Sequence, residues 1–167
     1  MRNICLLFCL SLLLFSCDKR EKFPVEPFIE FVSLEKVNDG TGIDHRAHLV
    51  LHFQDGDGDI GLNEQDIDPP FDTSSVYYYN FFIDYYKKEN GEFRKLEFNG
   101  LTFNQRIPRL SNTVPESIEG EIHIDLDINS FDYSSLYDTL MMKCYIVDRA
   151  LHVSNTVETT PIVVKKY

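Results

Sequence analysis

Tryptophan is absent from the 167 residues, and there are four cysteines. Basic residues are outnumbered, 16 against 27 acidic. Each shortage excludes something. A phosphate backbone needs a basic patch, so the acidic balance argues against nucleic acid as a partner. Direct attraction to an anionic lipid surface is disfavoured for the same reason. Without a tryptophan and a core disulfide, an antibody-type domain is ruled out, though not its architecture. The apolar run at residues 4–15 is too short to span a bilayer. No phosphate loop, dinucleotide fingerprint or nucleophile elbow occurs.

What is present begins with an address. Met1-Arg2-Asn3 is a short basic start, and residues 4–15 have the length of a signal h-region. The run ends Leu14-Phe15-Ser16-Cys17. This resembles a bacterial lipobox, with Phe15 as its one departure, and implies cleavage before Cys17 and lipidation of that cysteine. Residues 1–16 are thus read as a lipoprotein signal peptide. Residues 17–27, charged and then proline-containing, are read as the lipidated cysteine and a solvated tether. The domain is expected over residues 28–167. Cys5 and Cys9 would leave with the signal and Cys17 would carry lipid, so Cys144 remains alone, without an internal disulfide partner. It lies in an apolar strand pattern and reads as a small buried hydrophobe.

The domain reads as strands. Residues 46–54 alternate, with Ala47, Leu49, Leu51 and Phe53 on one face and His48, Val50 and His52 on the other. Residues 117–127 alternate most cleanly: Ile118, Ile122, Ile124 and Leu126 face one way, while Glu119, Glu121, His123, Asp125 and Asp127 face the other. Further strands are expected at residues 28–37, 76–88, 93–98, 140–147 and 156–165, the last interrupted at Pro161. Asn90-Gly91 marks a hairpin. The aromatics in the 76–88 run fall on both faces, which predicts a strand covered on both sides. Residues 101–110 give no clear pattern. About seven strands with short turns predict an all-β chain, a single antiparallel β-sandwich of the immunoglobulin or fibronectin type III kind.

One stretch carries chemistry: Asp55-Gly56-Asp57-Gly58-Asp59-Ile60-Gly61-Leu62, with Asp66 beyond it. Against an EF-hand loop, Asp55, Asp57 and Asp59 take the first, third and fifth ligand positions. Gly61 would offer its carbonyl at the seventh, and Asp66 falls at the twelfth. Ile60 stands where glycine is required, and a strand precedes the loop instead of a helix. The expectation is therefore a Ca²⁺ loop of the same ligand logic on a β-strand end. Oxygen ligands favour Ca²⁺ over zinc or copper. The competing reading is a solvated acidic turn. Asp148, which also ends a strand, is a candidate for the same end of the sandwich.

Other features have plainer readings. His48 and His52 on one strand stand about 13 Å apart, beyond a shared ion. The aromatic run from Tyr77 to Tyr86 reads as core before it reads as a carbohydrate platform. Glu119, Glu121, Asp125 and Asp127 read as the wet face of a strand before they read as glycosidase acids.

Four stretches together resemble small Bacteroidetes-type lipoproteins: residues 53–62, residues 79–86, Ile118-Glu119-Gly120-Glu121, and Ile146-Val147-Asp148-Arg149-Ala150 with Ser154-Asn155. The last also looks like the end of bacterial immunoglobulin-like or cadherin-like modules. The resemblance implies location and fold and brings no activity with it. The expectation is a non-enzymatic, lipid-anchored cell-envelope protein, at the outer membrane with its periplasmic and surface faces both open. It would act as a binding or assembly module with a Ca²⁺ loop. The alternatives are a glycan- or nutrient-binding accessory lipoprotein using exposed aromatics, and, further off, a hydrolase.

Overall fold

The computed structural model describes residues 22–111, 116–129 and 135–167. The expected signal peptide, Cys17 and the first part of the tether lie outside the described residues. Among the described residues, no helix is long and apolar enough to cross a membrane.

The chain is all-β. Eight strands follow in order: β1 (Phe28–Lys36), β2 (Arg46–Asp55), β3 (Phe81–Glu89), β4 (Glu92–Lys95), β5 (Ile118–Asp127), β6 (Tyr137–Ile146), β7 (Val157–Glu158) and β8 (Ile162–Lys165). One sheet has the order β1-β2-β5. The other has β4-β3-β6-β7, with β8 also pairing β6. All strand pairs are antiparallel. The chain changes sheets between β2 and β3, again between β4 and β5, and again between β5 and β6. Such crossings characterise immunoglobulin-type sandwiches.

Period-two alternation builds the core. Leu49, Leu51 and Phe53 of β2, with Ile122, Ile124 and Leu126 of β5, face Phe81, Ile83 and Tyr85 of β3. Leu140, Met142, Cys144 and Ile146 of β6 complete the opposing layer. β2 and β5 stay in register over ten pairs, from Arg46↔Asp127 to Asp55↔Ile118. Gly120 stands opposite Phe53, and a Cβ there would come within 3.2 Å of the Phe53 ring. Cys144 is fully buried, and burial pushes its thiol up to about 12. It is the inert hydrophobe the pattern suggested.

Several boundaries differ from expectation. Val76–Tyr78 forms a 3₁₀ turn, capped by Ser75, whose Oγ accepts from the Tyr77 backbone N–H; the strand begins at Phe81. Its outer face is not covered by a third layer. Phe82 and Tyr86 are half-buried there by their neighbours on the sheet, and Phe82 stacks on Tyr145 with ring centroids 4.8 Å apart. The return strand stops at Lys95, and Pro161 divides the last strand into β7 and β8. Residues 101–110 run as irregular chain held by isolated bridges, Leu62↔Pro108 and Phe81↔Gln105. In the described part of the expected tether Lys22, Pro24, Val25 and Glu26 are exposed, while two points rest on the domain. Pro27 is buried, and the Phe23 N–H donates to Ser117 Oγ at 3.3 Å.

Candidate metal centre

The alternation that builds the core also places the acidic site. On β2 the inward positions run Leu49, Leu51, Phe53 and then Asp55, which is fully buried. On β6 they run Met142, Cys144, Ile146, and two residues past the strand comes Asp148, 2% exposed. Each strand thus ends its apolar face on a carboxylate. The two strands belong to opposite sheets, so both carboxylates point into the same end of the sandwich.

Between Asp55 and Ile60 the backbone turns tightly. Asp55 Oδ2 accepts the N–H of Asp59 at 2.8 Å and of Ile60 at 3.3 Å. Gly58 holds φ +69°, and a Cβ there would lie 2.6 Å from the Glu116 carbonyl oxygen, so neither backbone nor space admits a side chain. The turn brings Asp57 and Asp59 beside Asp55. One carboxylate oxygen from each of Asp55, Asp57, Asp59 and Asp148 lies within 4.8 Å of all the others.

The bonding of these oxygens is lopsided. Asp59 Oδ2 accepts the Ala150 N–H at 3.0 Å. Asp148 accepts the His152 N–H at 2.8 Å and contacts His152 Nδ1 at 2.9 Å. Among the described residues, Asp55 Oδ1, Asp57 Oδ1 and Asp59 Oδ1 are buried and have no hydrogen-bond partner. Among the described residues, none of the four forms an ion pair with lysine or arginine. Arg109 approaches, but its guanidinium donates to the carbonyls of Asp59 and Ser111.

Buried carboxylates without donors are costly, and like charges at this spacing add to the cost. The titration follows. Burial, then Asp57 and Asp59, push the Asp55 carboxyl up to about 6. Burial, then Asp148 and Asp57, raise Asp59. Burial raises Asp148 against the opposing bonds from His152, and the bond to Asp148 raises His152 in turn. Four carboxylates that converge, three of them holding an orphaned oxygen, suit a divalent cation such as Ca²⁺.

Asp55, Asp57 and Asp59 therefore come together as expected. Asp66 does not join them. Its Oδ2 accepts the Asn63 N–H at 2.7 Å and forms an ion pair with Arg149. Burial would raise its carboxyl, but the bonds from Arg149 and Asn63 hold it below the usual range. The EF-hand register fails here because no second helix carries the twelfth residue back to the ion. Gly61 serves packing: at φ +98°, its Cα faces the Pro108 carbonyl, and a Cβ would lie 2.2 Å from that oxygen. Ile60, the departure from the EF-hand pattern, is fully buried against the core.

Asp148 takes the place that spacing gave to Asp66. Asp148, a candidate for this end from its place after a strand, arrives there because the β6 alternation carries on past Ile146. His152 was missed, because nothing in its own neighbourhood marks it. His48 and His52 do not converge on each other; His48 meets His123 of β5 instead. The strand carboxylates Glu119, Glu121, Asp125 and Asp127 are exposed on the outer face of their sheet.

The chain was compared with protein families, with curated proteins and with solved structures, and none matches.

Proposed function

We propose that this chain is a non-enzymatic, lipid-anchored envelope protein whose acidic loop binds Ca²⁺ and thereby stiffens one end of the sandwich as a binding or assembly surface. One observation carries the reading: four carboxylates converge, and three of them hold a buried oxygen with no hydrogen-bond partner among the described residues. A cation would add to the bonds that already join these elements, Ala150 N–H to Asp59 and Arg149 to Asp66. Asp55 ends β2, Asp57 and Asp59 come from the connection after it, and Asp148 from the connection after β6. The loop 148–152 would then be fixed from both sides, by the ion and by the Arg149–Asp66 pair.

The anchor reading fits the same end. The Phe23 and Pro24 carbonyls lie over Gly56, where a Cβ would be 2.3 and 2.5 Å from them. Ser117 Oγ, which accepts from Phe23 N–H, donates to the Gly56 carbonyl. Phe23 lies six positions after Cys17, a reach of at most ~20 Å. Lipidation at Cys17 would hold the acidic loop at the membrane-facing end of the domain. The likeness to small Bacteroidetes-type lipoproteins belongs to this proposal.

Thermal melting of the full chain tests the cation. A site in the ~10⁻⁴ to 10⁻³ M range of extracellular modules raises the melting temperature by about 5–10 °C when Ca²⁺ is in large excess over EDTA. The shift disappears in Asp57→Ala. Equal melting in Ca²⁺ and EDTA sinks the cation reading.

A second reading, a glycan- or nutrient-binding accessory protein, draws on a different place. A groove of about 500 Å³ on the β3–β6 sheet is lined by Val76, Tyr77, Phe82, Asn104, Tyr145 and Val153. It offers ring faces beside polar edges, the combination that sugar rings use. Glycan-array binding lost in Tyr77→Ala would favour it. Binding that survives the change counts against this groove.

A further inference from the structure

The outer face of the β1-β2-β5 sheet carries a second constellation, on a different side of the molecule's chemistry from the aspartates. His48 of β2 and His123 of β5 are diagonal neighbours, since His48 pairs with Asp125 and Val50 with His123. Their facing nitrogens, His48 Nε2 and His123 Nδ1, are 3.0 Å apart. Each outer nitrogen already has a carboxylate. His48 Nδ1 is 3.0 Å from Asp125 Oδ1, and His123 Nε2 is 3.4 Å from Glu121 Oε2.

Counting protons exposes a conflict. The row Asp125–His48–His123–Glu121 contains two hydrogen bonds and one longer contact, His123–Glu121 at 3.4 Å, and a nitrogen-bound proton suits each of the three. Two neutral imidazoles supply two. The carboxylates accept only, so they favour the tautomers with both N–H groups outward. In those tautomers two lone pairs would face each other at 3.0 Å. A third proton would fill the gap by making the pair cationic. A metal ion would fill it while both rings stay neutral.

The arrangement matches what such an ion uses. A ligating histidine characteristically donates its other N–H to a carboxylate, which fixes the tautomer and the ring. Two imidazole nitrogens at ~2.0–2.1 Å from one ion stand roughly 3 Å apart. Small ring rotations, open to half-exposed side chains, would turn both lone pairs onto one point. The backbone beneath them is two long strands in unbroken register.

We propose that His48 and His123 form a second cation site, independent of the aspartate loop, for a borderline divalent ion of the Zn²⁺ class. Asp125 and Glu121 are the positioning residues that hold the imidazole N–H groups, and water completes the coordination. Imidazole nitrogen selects Zn²⁺, Ni²⁺ or Cu²⁺ over Ca²⁺, so the two sites divide hard from borderline ions.

The test is Zn²⁺ titration of the full chain, free of tag histidines and saturated with Ca²⁺, followed by calorimetry and by the ring-nitrogen NMR signals of the histidines. The expected result is one Zn²⁺ per chain, with metal-type shifts at His48 Nε2 and His123 Nδ1. Binding is lost in His48→Gln and in His123→Gln, and weakened ~10-fold in Asp125→Asn. It is unchanged in His52→Gln and in Asp57→Asn. The NMR measurement on the unmodified chain stands even if a variant folds poorly. Zn²⁺ binding that survives both histidine substitutions, or a pair that takes up a shared proton and no Zn²⁺, overturns the proposal.

Discussion

The two ends of β6 carry the same residue type in opposite circumstances. At its start, Asp138 is buried and fully supplied: Lys87 Nζ lies 3.0 Å away, Lys166 pairs with it, and Ser135 Oγ donates at 2.6 Å. Burial would raise its carboxyl, yet the bonds from Lys166, Ser135 and Lys87 outweigh burial and hold it below the usual range. Past the other end, Asp148 joins Asp55, Asp57 and Asp59, and burial wins: Asp55 is pushed up to about 6. One end brings its own cations, on the long stems of two lysines. The other gathers more negative charge, and among the described residues it brings no lysine or arginine ion pair, only His152 on Asp148 and the nearby Arg109. Burying a carboxylate is tolerated when a counter-charge is built in, and the proposed cation would supply one at the second end.

The largest expected effect breaks the supplied end. Asp138→Ala removes the buried carboxylate that Ser135, Lys87 and Lys166 share, and breaking that buried pairing costs about 3–5 kcal/mol of stability. The loss is the same in Ca²⁺ and in EDTA, as denaturant unfolding in both would reveal. At the unsupplied end the sign reverses. Asp55→Asn keeps an acceptor for the Asp59 and Ile60 N–H groups and removes one charge from the cluster. In EDTA at pH 7 it stabilises the chain by up to about 3 kcal/mol, the value of moving a carboxyl from 3.8 to about 6. It also abolishes the response to Ca²⁺. Destabilisation of the EDTA form by Asp55→Asn would mean that the four carboxylates do not repel.

A smaller effect appears in pH. Folded Asp55 keeps its proton up to about 6, whereas an unfolded aspartate releases it near 3.8. Between these values the folded state binds more protons, so stability in EDTA falls as pH rises through that window. The raised His152 acts in the same direction at higher pH. Asp138, Asp66 and Asp44 are lowered, and their contribution is lost only as pH falls below the ordinary value of 3.8. Urea unfolding in EDTA should therefore give about 1 kcal/mol more stability at pH 5 than at pH 7, and saturating Ca²⁺ should erase the difference. The smallest effect is Asp66→Asn. It removes a partly exposed ion pair with Arg149, costs about 1 kcal/mol or less, and leaves Ca²⁺ binding in place.

How much of this was legible beforehand depended on how local the cause was. Strand alternation is local, so the 46–54 and 117–127 faces matched the structure, and the sandwich followed from them. The aspartate turn is local too, and Asp55, Asp57 and Asp59 converge. Asp66 misled because an EF-hand counts residues along a helix–loop–helix, whereas here a strand from the other sheet delivers the fourth carboxylate. The 3₁₀ turn at Val76–Tyr78 was hidden under a run of aromatics that suits strands as well. The His48–His123 contact depends on the pairing of β2 with β5 and could not be read from either strand alone.

The claim that the acidic end awaits an external cation is tested most directly by Ca²⁺ calorimetry on the full chain and two single variants. The structure predicts one Ca²⁺ per chain, binding weakened by ~10-fold or more in Asp148→Asn, and binding within about twofold of the parent in Asp66→Asn. No Ca²⁺ binding at millimolar concentration, or a loss confined to Asp66→Asn, would contradict it.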